Sequence, residues 1–206
     1  TRFVGMGGGS HSDRSMRLVG SLLVDASAEI VAAGRAACAE IWGVDPAEVG
    51  FEDGRFRAPG ANRALSLLEL ADILDNDAPN RLTATKDFDG RMPAHPTGCA
   101  VCEVEIDPET GVVEIVRYST VDDVGRPINP LIVDGQVHGG IAQGAGEALI
   151  EGCVHDPESG QLLTGSFMDY GMPRADMLPA FAVELAEDPT AGNPLAIKGG
   201  GEAGIT

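Results

Sequence analysis

Glycine is the residue that most limits what this chain can become. It fills 28 of 206 positions, about twice its usual ~7 % share. The glycines fall in clusters: Gly7-Gly8-Gly9, Gly139-Gly140, Gly144 with Gly146, and Gly199-Gly200-Gly201. A residue with no Cβ gives little order and no packing surface. Runs of it therefore mark places where backbone comes close to something else.

The hydrophobic fraction of 43 % is enough for a normal core, and the length suits one domain or two small ones. Net charge is −18, from 14 Lys and Arg against 32 Asp and Glu, so the surface repels phosphate backbones and general nucleic-acid binding is excluded. The excess is uneven. Residues 1–43 balance Arg2, Arg14, Arg17 and Arg35 against Asp13, Asp25, Glu29 and Glu40, which makes this segment the least hostile to an anion. No run approaches the ~18 apolar residues of a membrane span. The start, Thr1-Arg2-Phe3-Val4-Gly5, has no Met and no signal-peptide core, and the expectation is an excised piece of a longer, cytoplasmic chain.

Local patterns predict the elements. Residues 25–41 read as a helix with Asp25 as N-cap and Gly43 as stop. Val49–Arg57 reads as a hairpin turning at Asp53-Gly54. Ser66–Leu74 reads as a short helix, with Ser66 and Glu69 forming a capping box. Residues 76–98 are expected to be a long loop plus one strand. The clearest hairpin joins Ala100–Ile106 to Val112–Ser119 through Asp107-Pro-Glu-Thr-Gly111. A turn-rich loop over 121–130 leads to a glycine-heavy helix from Val133 to Ile150. A second hairpin, Cys153–Thr164, repeats the turn as Asp156-Pro-Glu-Ser-Gly160, and Phe181–Ala186 reads as a strand. Together these give an α+β fold, a mixed, largely antiparallel sheet with packed helices.

The cysteines are Cys38, Cys99, Cys102 and Cys153. Cys99 and Cys102 match C-x-x-C, but three residues apart on a strand they face opposite sides of the sheet. Small buried side chains are expected here. His11, His95, His138 and His155 lack metal-ligand spacing, and no protein metal ligand is assigned.

Three segments carry chemistry. In Gly7–Met16, successive glycine amides, Ser10, Ser12 and Ser15, with Arg14 and Arg17 nearby, suit an anionic group; a plain flexible turn is the alternative. Gln136 and Gln143 lie two helical turns apart on one face, and their amides suit a heterocycle with alternating donors and acceptors; close helix–helix packing is the alternative. Glu202, after three glycines, suits a general base facing a cavity; an exposed loop acid is the alternative.

In combination, these segments resemble a known family. Val121-Asp-Asp-Val-Gly-Arg-Pro-Ile-Asn-Pro, continuing through Gly135-Gln136-Val-His-Gly-Gly to Leu149, is similar to the molybdopterin-binding subunit of the xanthine oxidase family. The nearest likeness is to bacterial large subunits of the aerobic carbon monoxide dehydrogenase type. Ser166-Phe-Met-Asp-Tyr-Gly-Met-Pro173 and Asn193–Gly204 fit in the same order, and Gly8–Arg17 fits the family's pterin-contacting serine loop.

The resemblance implies that residues 1–206 are part of the molybdopterin-binding domain of a longer subunit. Glu202 matches the family's catalytic base, which takes a proton from the attacking oxygen. Gly9, Ser10, His11, Ser12, Gln136, Gly200 and Gly201 match cofactor-contacting positions. One departure stands out: Gly200 replaces a residue that is usually branched and apolar. The implied cofactor is molybdopterin with molybdenum, in its cytosine dinucleotide form, with iron–sulfur clusters and FAD on other domains or subunits. Implied partners are the rest of the same subunit, iron–sulfur and flavin subunits, and a small-molecule substrate, without nucleic acid or a membrane span. The expected activity is hydroxylation of an aldehyde, purine, N-heterocycle or similar carbon centre with water as oxygen source, or oxidation of carbon monoxide, with this piece inactive alone. A split subunit that assembles with a partner chain, or a non-catalytic domain that keeps the fold, are the alternatives.

Overall fold

The computed structural model describes residues 9–11, 13–58, 60, 62–77, 81–88, 92 and 94–205. The chain divides into two compact units, Leu18–Arg91 and Thr1–Arg17 with Met92–Thr206. Among the described residues no helix is long and apolar enough to cross a membrane.

In the unit Leu18–Arg91, helix α1 (Ser21–Trp42) runs straight on from a π-helical turn, Ser15–Gly20. It therefore begins four residues before the expected start at Asp25. Gly20 already holds helical angles, φ −58° and ψ −42°, so the backbone arrives wound and no side-chain cap is required. The end is as expected: Gly43 turns left-handed at φ 68° and its N–H bonds to the Ala39 carbonyl.

Strands β1 (Gly50–Glu52) and β2 (Arg55–Arg57) pair around Asp53 and Gly54. Both turn residues have positive φ, 50° and 72°, which matches the right-handed twist of a two-residue hairpin. Strand β3 (Ala64–Ser66) adds antiparallel to β2. It leads into α2 (Leu67–Asp77). The Ser66 N–H donates to Glu69 Oε2 at 2.7 Å and the Glu69 N–H to Ser66 Oγ at 3.1 Å, completing the capping box. The core here joins Ala37, Cys38 and Ala39 to Val49, Phe56, Leu70 and Leu74.

In the other unit, β4 (Thr97–Ile106) and β5 (Val113–Asp123) form the expected hairpin. Asp107 holds its turn by accepting from the Glu109 N–H at 2.8 Å and the Thr110 hydroxyl at 2.7 Å. Strand β6 (Ala182–Ala186) pairs parallel to β5, so the order β4-β5-β6 makes a mixed sheet. This pairing, Val121 to Glu184 through Asp123 to Ala186, carries β5 to Asp123, where a loop was expected from Val121.

Helix α3 (Pro130–Leu149) starts three residues early, because Asn129 accepts from the Ile132 N–H and Pro130 fits the first turn. The second Asp-Pro-Glu-x-Gly repeats the turn chemistry, with Asp156 accepting from the Glu158 and Ser159 amides at 2.8 and 2.9 Å. The expected hairpin around it shrinks to one bridge, His155 to Leu162. Val154, Leu162 and Leu163 stay exposed, and a two-stranded ribbon with no covered face does not extend itself.

The cysteine expectation is also corrected. Cys38 is buried, but Cys99, Cys102 and Cys153 are exposed. Every residue of β4 is exposed, so the side chains of Cys99 and Cys102 have no layer to sink into.

Candidate functional site

The site is built around the final glycine loop, whose approach is rigidly held. The buried Asn193 side chain brackets Ile197, donating to its carbonyl at 2.9 Å and accepting from its N–H at 3.2 Å. The Lys198 N–H donates to the Val124 carbonyl at 2.9 Å. The Lys198 ammonium bonds to Asp123 and also lies 3.3 Å from Asp188. Both Lys198 and Asp123 side chains are only 12–13 % exposed. The hydrogen bond to Asp123 raises the proton affinity of Lys198.

Beyond Lys198, each glycine meets a different element. A Cβ on Gly199 would lie 2.3 Å from Asp13 Oδ2, and one on Gly201 would lie 2.8 Å from Gln136 Cβ. On Gly200 it would lie 3.1 Å from the Val124 side chain. From the helix side, a Cβ on Gly140 would lie 2.1 Å from the Gly201 carbonyl oxygen, and one on Gly204 would lie 2.5 Å from the Ile141 nitrogen. The bare face of α3 is thus filled by the backbone of Gly201 and of the short 3-10 turn Ala203–Ile205 that follows. Gly201 itself sits at φ +92°, a conformation that L side chains rarely adopt.

This packing places Gln136 against Gly201, one residue from Glu202. The side chains of Gln136 and Glu202 are both exposed, and Gly200 and Gly201 are half-buried. Gln143 takes another course: its amide donates to Glu147 along the same helix at 3.0 Å. Gly135 and Gly139 have open space where a Cβ would stand, so part of α3 presents bare backbone beside Gln136.

The first loop reaches the glycine loop through Asp13. Gly9, Ser10 and His11 are exposed, Gly9 with φ +46°. The Ser10 hydroxyl is hydrogen-bonded to Ser15, and the His11 carbonyl accepts from the Arg14 N–H at 3.0 Å. Ser12 lies outside the described residues. Asp13 is half-buried, left-handed at φ 59°, and accepts a hydrogen bond from the Gly200 N–H. Burial raises its proton affinity, the Gly200 N–H opposes that, the Glu202 charge adds to it, and Arg17 opposes it; the net direction is upward. Sequence reading counted Asp13 only as a charge. Its one local signal is an Asp after a glycine–serine run, a residue type that tolerates positive φ. Among the described residues, no group of three or more His, Cys, Asp or Glu gathers as a metal site; what converges is one exposed carboxylate, an amide and backbone N–H groups.

Comparison with known proteins identifies the family. Residues 1–179 match the family described as the molybdopterin cofactor-binding domain. The 6-hydroxypseudooxynicotine dehydrogenase complex subunit gamma of Paenarthrobacter nicotinovorans is 36 % identical, over all of this chain and 27 % of its own length. The carbon monoxide dehydrogenase large chain of Afipia carboxidovorans is 31 % identical, over 95 % of this chain and 25 % of its own length. The crystal structure of quinoline 2-oxidoreductase from Pseudomonas putida 86 superposes with a TM-score of 0.78 at 28 % identity, over 97 % of this chain and 26 % of that one. The chain thus spans about a quarter of the length of the relatives it matches. It belongs to the molybdopterin cofactor-binding domain family.

Proposed function

We propose that this chain forms one side of the cofactor cradle in a molybdenum hydroxylase and carries that enzyme's catalytic base, Glu202. The observation that carries this reading is the seating of the Gly201 backbone on Gln136, which presents an amide and a carboxylate from one rigid ledge. Several features suit a molybdopterin. Gln136 offers both a donor and an acceptor to a pterin ring. The bare backbone at Gly135 and Gly139 leaves room for a flat group. Gly9, Ser10, His11 and Ser12 offer hydroxyl and amide donors to its phosphate. Gly200 and Gly201 line the edge nearest Glu202. Molybdenum, when bound, supplies a centre that accepts the two electrons of the oxidation.

The protein's part is positional and protolytic. The Glu202 carboxylate accepts a proton from the attacking oxygen, and the loop carries that exposed carboxylate directly after three glycines. The cytosine dinucleotide form of the cofactor, iron–sulfur and flavin partners, and a cytoplasmic location complete the proposal. The Paenarthrobacter nicotinovorans subunit, at 36 % identity, and quinoline 2-oxidoreductase have names built on nitrogen heterocycles, which supports such a substrate beside the carbon monoxide named for the Afipia carboxidovorans chain. The test is Glu202→Gln in the full-length subunit. Turnover is expected to fall at least ~100-fold, as for loss of a general base, while molybdenum content stays near normal. Unchanged turnover would remove Glu202 from the reaction.

A further inference from the structure

Asp13 brings the first loop onto the glycine loop, and it belongs to no cofactor-contacting position assigned above. We propose that Asp13 is a positioning residue for Glu202: its carboxylate holds the Gly199–Gly201 loop in place by accepting the Gly200 N–H. The inference rests on Glu202 being the base.

Three observations converge on it. Asp13 accepts from Gly200, two residues before Glu202. Its Oδ2 stands 2.3 Å from where a Gly199 Cβ would be, so the loop's glycine leaves room for this carboxylate. Asp13 also holds a left-handed backbone, φ 59°, while its carbonyl accepts from the Arg17 N–H at 2.8 Å. A non-glycine residue keeps that conformation only where its surroundings fix it.

The contact has an electrostatic consequence. Asp13 and Glu202 are like charges in one small site, faced by Arg17. His11 and Arg14 lie on Asp13's own segment, and Lys198, beside the loop, is engaged by Asp123 and Asp188. Gln136, from α3, brings no charge. Beside burial, the Glu202 charge raises the proton affinity of Asp13.

The experiment uses the full enzyme complex. Asp13→Ala is expected to lower kcat at least tenfold with KM changed less than twofold, and to speed amide hydrogen exchange over residues 197–205. In Asp13→Asn the carboxamide oxygen still accepts the Gly200 N–H. That variant is expected to keep wild-type exchange and to recover most of the kcat lost in Asp13→Ala. Wild-type loop exchange in Asp13→Ala overturns the proposal. So does faster exchange with unchanged kcat. Glu202→Gln, run in parallel, separates the two readings: if it keeps full turnover, the base assignment fails, and loop exchange alone still reports whether Asp13 holds the loop. Should Asp13→Ala fail to fold, Asp13→Gly, which suits the left-handed backbone, decides, and wild-type loop exchange in that variant overturns the proposal.

Discussion

Asp123 and Lys198 stand 75 positions apart and meet beneath the glycine loop. Burial pushes the Asp123 carboxyl upward, but the hydrogen bonds from Lys198 and from the Gly125 and Asp188 amides outweigh it, and the group ends below the ordinary carboxylate range. A carboxyl whose folded pKa is depressed adds stability that is complete above its unfolded pKa of about 3.9. That stability fades as pH falls toward the folded value. Asp123→Asn is therefore expected to lower the thermal midpoint at neutral pH, with the gap to wild type closing below about pH 4. A gap that stayed constant on acidification would mean that the charge contributes nothing. At this scale the sequence was partly readable. Gln136, Gly200, Gly201 and Glu202 come together because their motifs lie on adjoining pieces of one element and one loop. Asp13 and the Lys198–Asp123 pair were invisible because tertiary approach alone creates them, and no local spacing encodes a partner 75 residues away.

Elements were readable wherever the signal was local. The Asp53-Gly54 turn, the Ser66–Glu69 box, the Gly43 stop and both Asp-Pro-Glu-x-Gly turns each close within a few residues, and each stands where the side-chain chemistry puts it. The misplacements share another cause. The start of α1, the far end of β5 and the shrunken second hairpin were each decided by what lies alongside: an incoming π-turn, a parallel neighbour, or no covering face. Packing between elements also explains Gly34, a glycine in the interior of α1. A Cβ there would lie 2.2 Å from the Phe56 ring, and Phe56 is fully buried. Helix propensity favours alanine over glycine by about 1 kcal/mol, but overpacking a filled core costs about 1–3 kcal/mol. Gly34→Ala is expected to destabilise on balance, by about 1 kcal/mol or somewhat more, as read by chemical denaturation. Adding Phe56→Leu should recover part of the loss. Additive effects of the two changes would show that ring and helix do not press on each other.

At the scale of the whole molecule, the chain holds Gln136 and Glu202 but spans only about a quarter of its relatives' length. On the proposed reading it is one side of a cradle. Purified without the rest of the subunit, it is expected to contain no stoichiometric molybdenum or pterin, whereas the full-length subunit contains both. Stoichiometric metal in this chain alone would mean that it completes a site by itself. The −18 charge bears on partners more than on fold: an acidic body repels anions in a long-range encounter.

The glycine loop has a consequence for heredity. Every glycine codon begins with two guanines, so any change at those bases installs a side chain or stops the chain. At Gly199 that side chain collides with Asp13, and at Gly201 with Gln136. At Gly200 it meets the side chains of Val124, at 3.1 Å, and Val133, at 3.5 Å, neighbours that can shift by tenths of an ångström. In this triplet the outer codons are free to drift only at their silent third base, while the middle one retains some freedom to change its meaning.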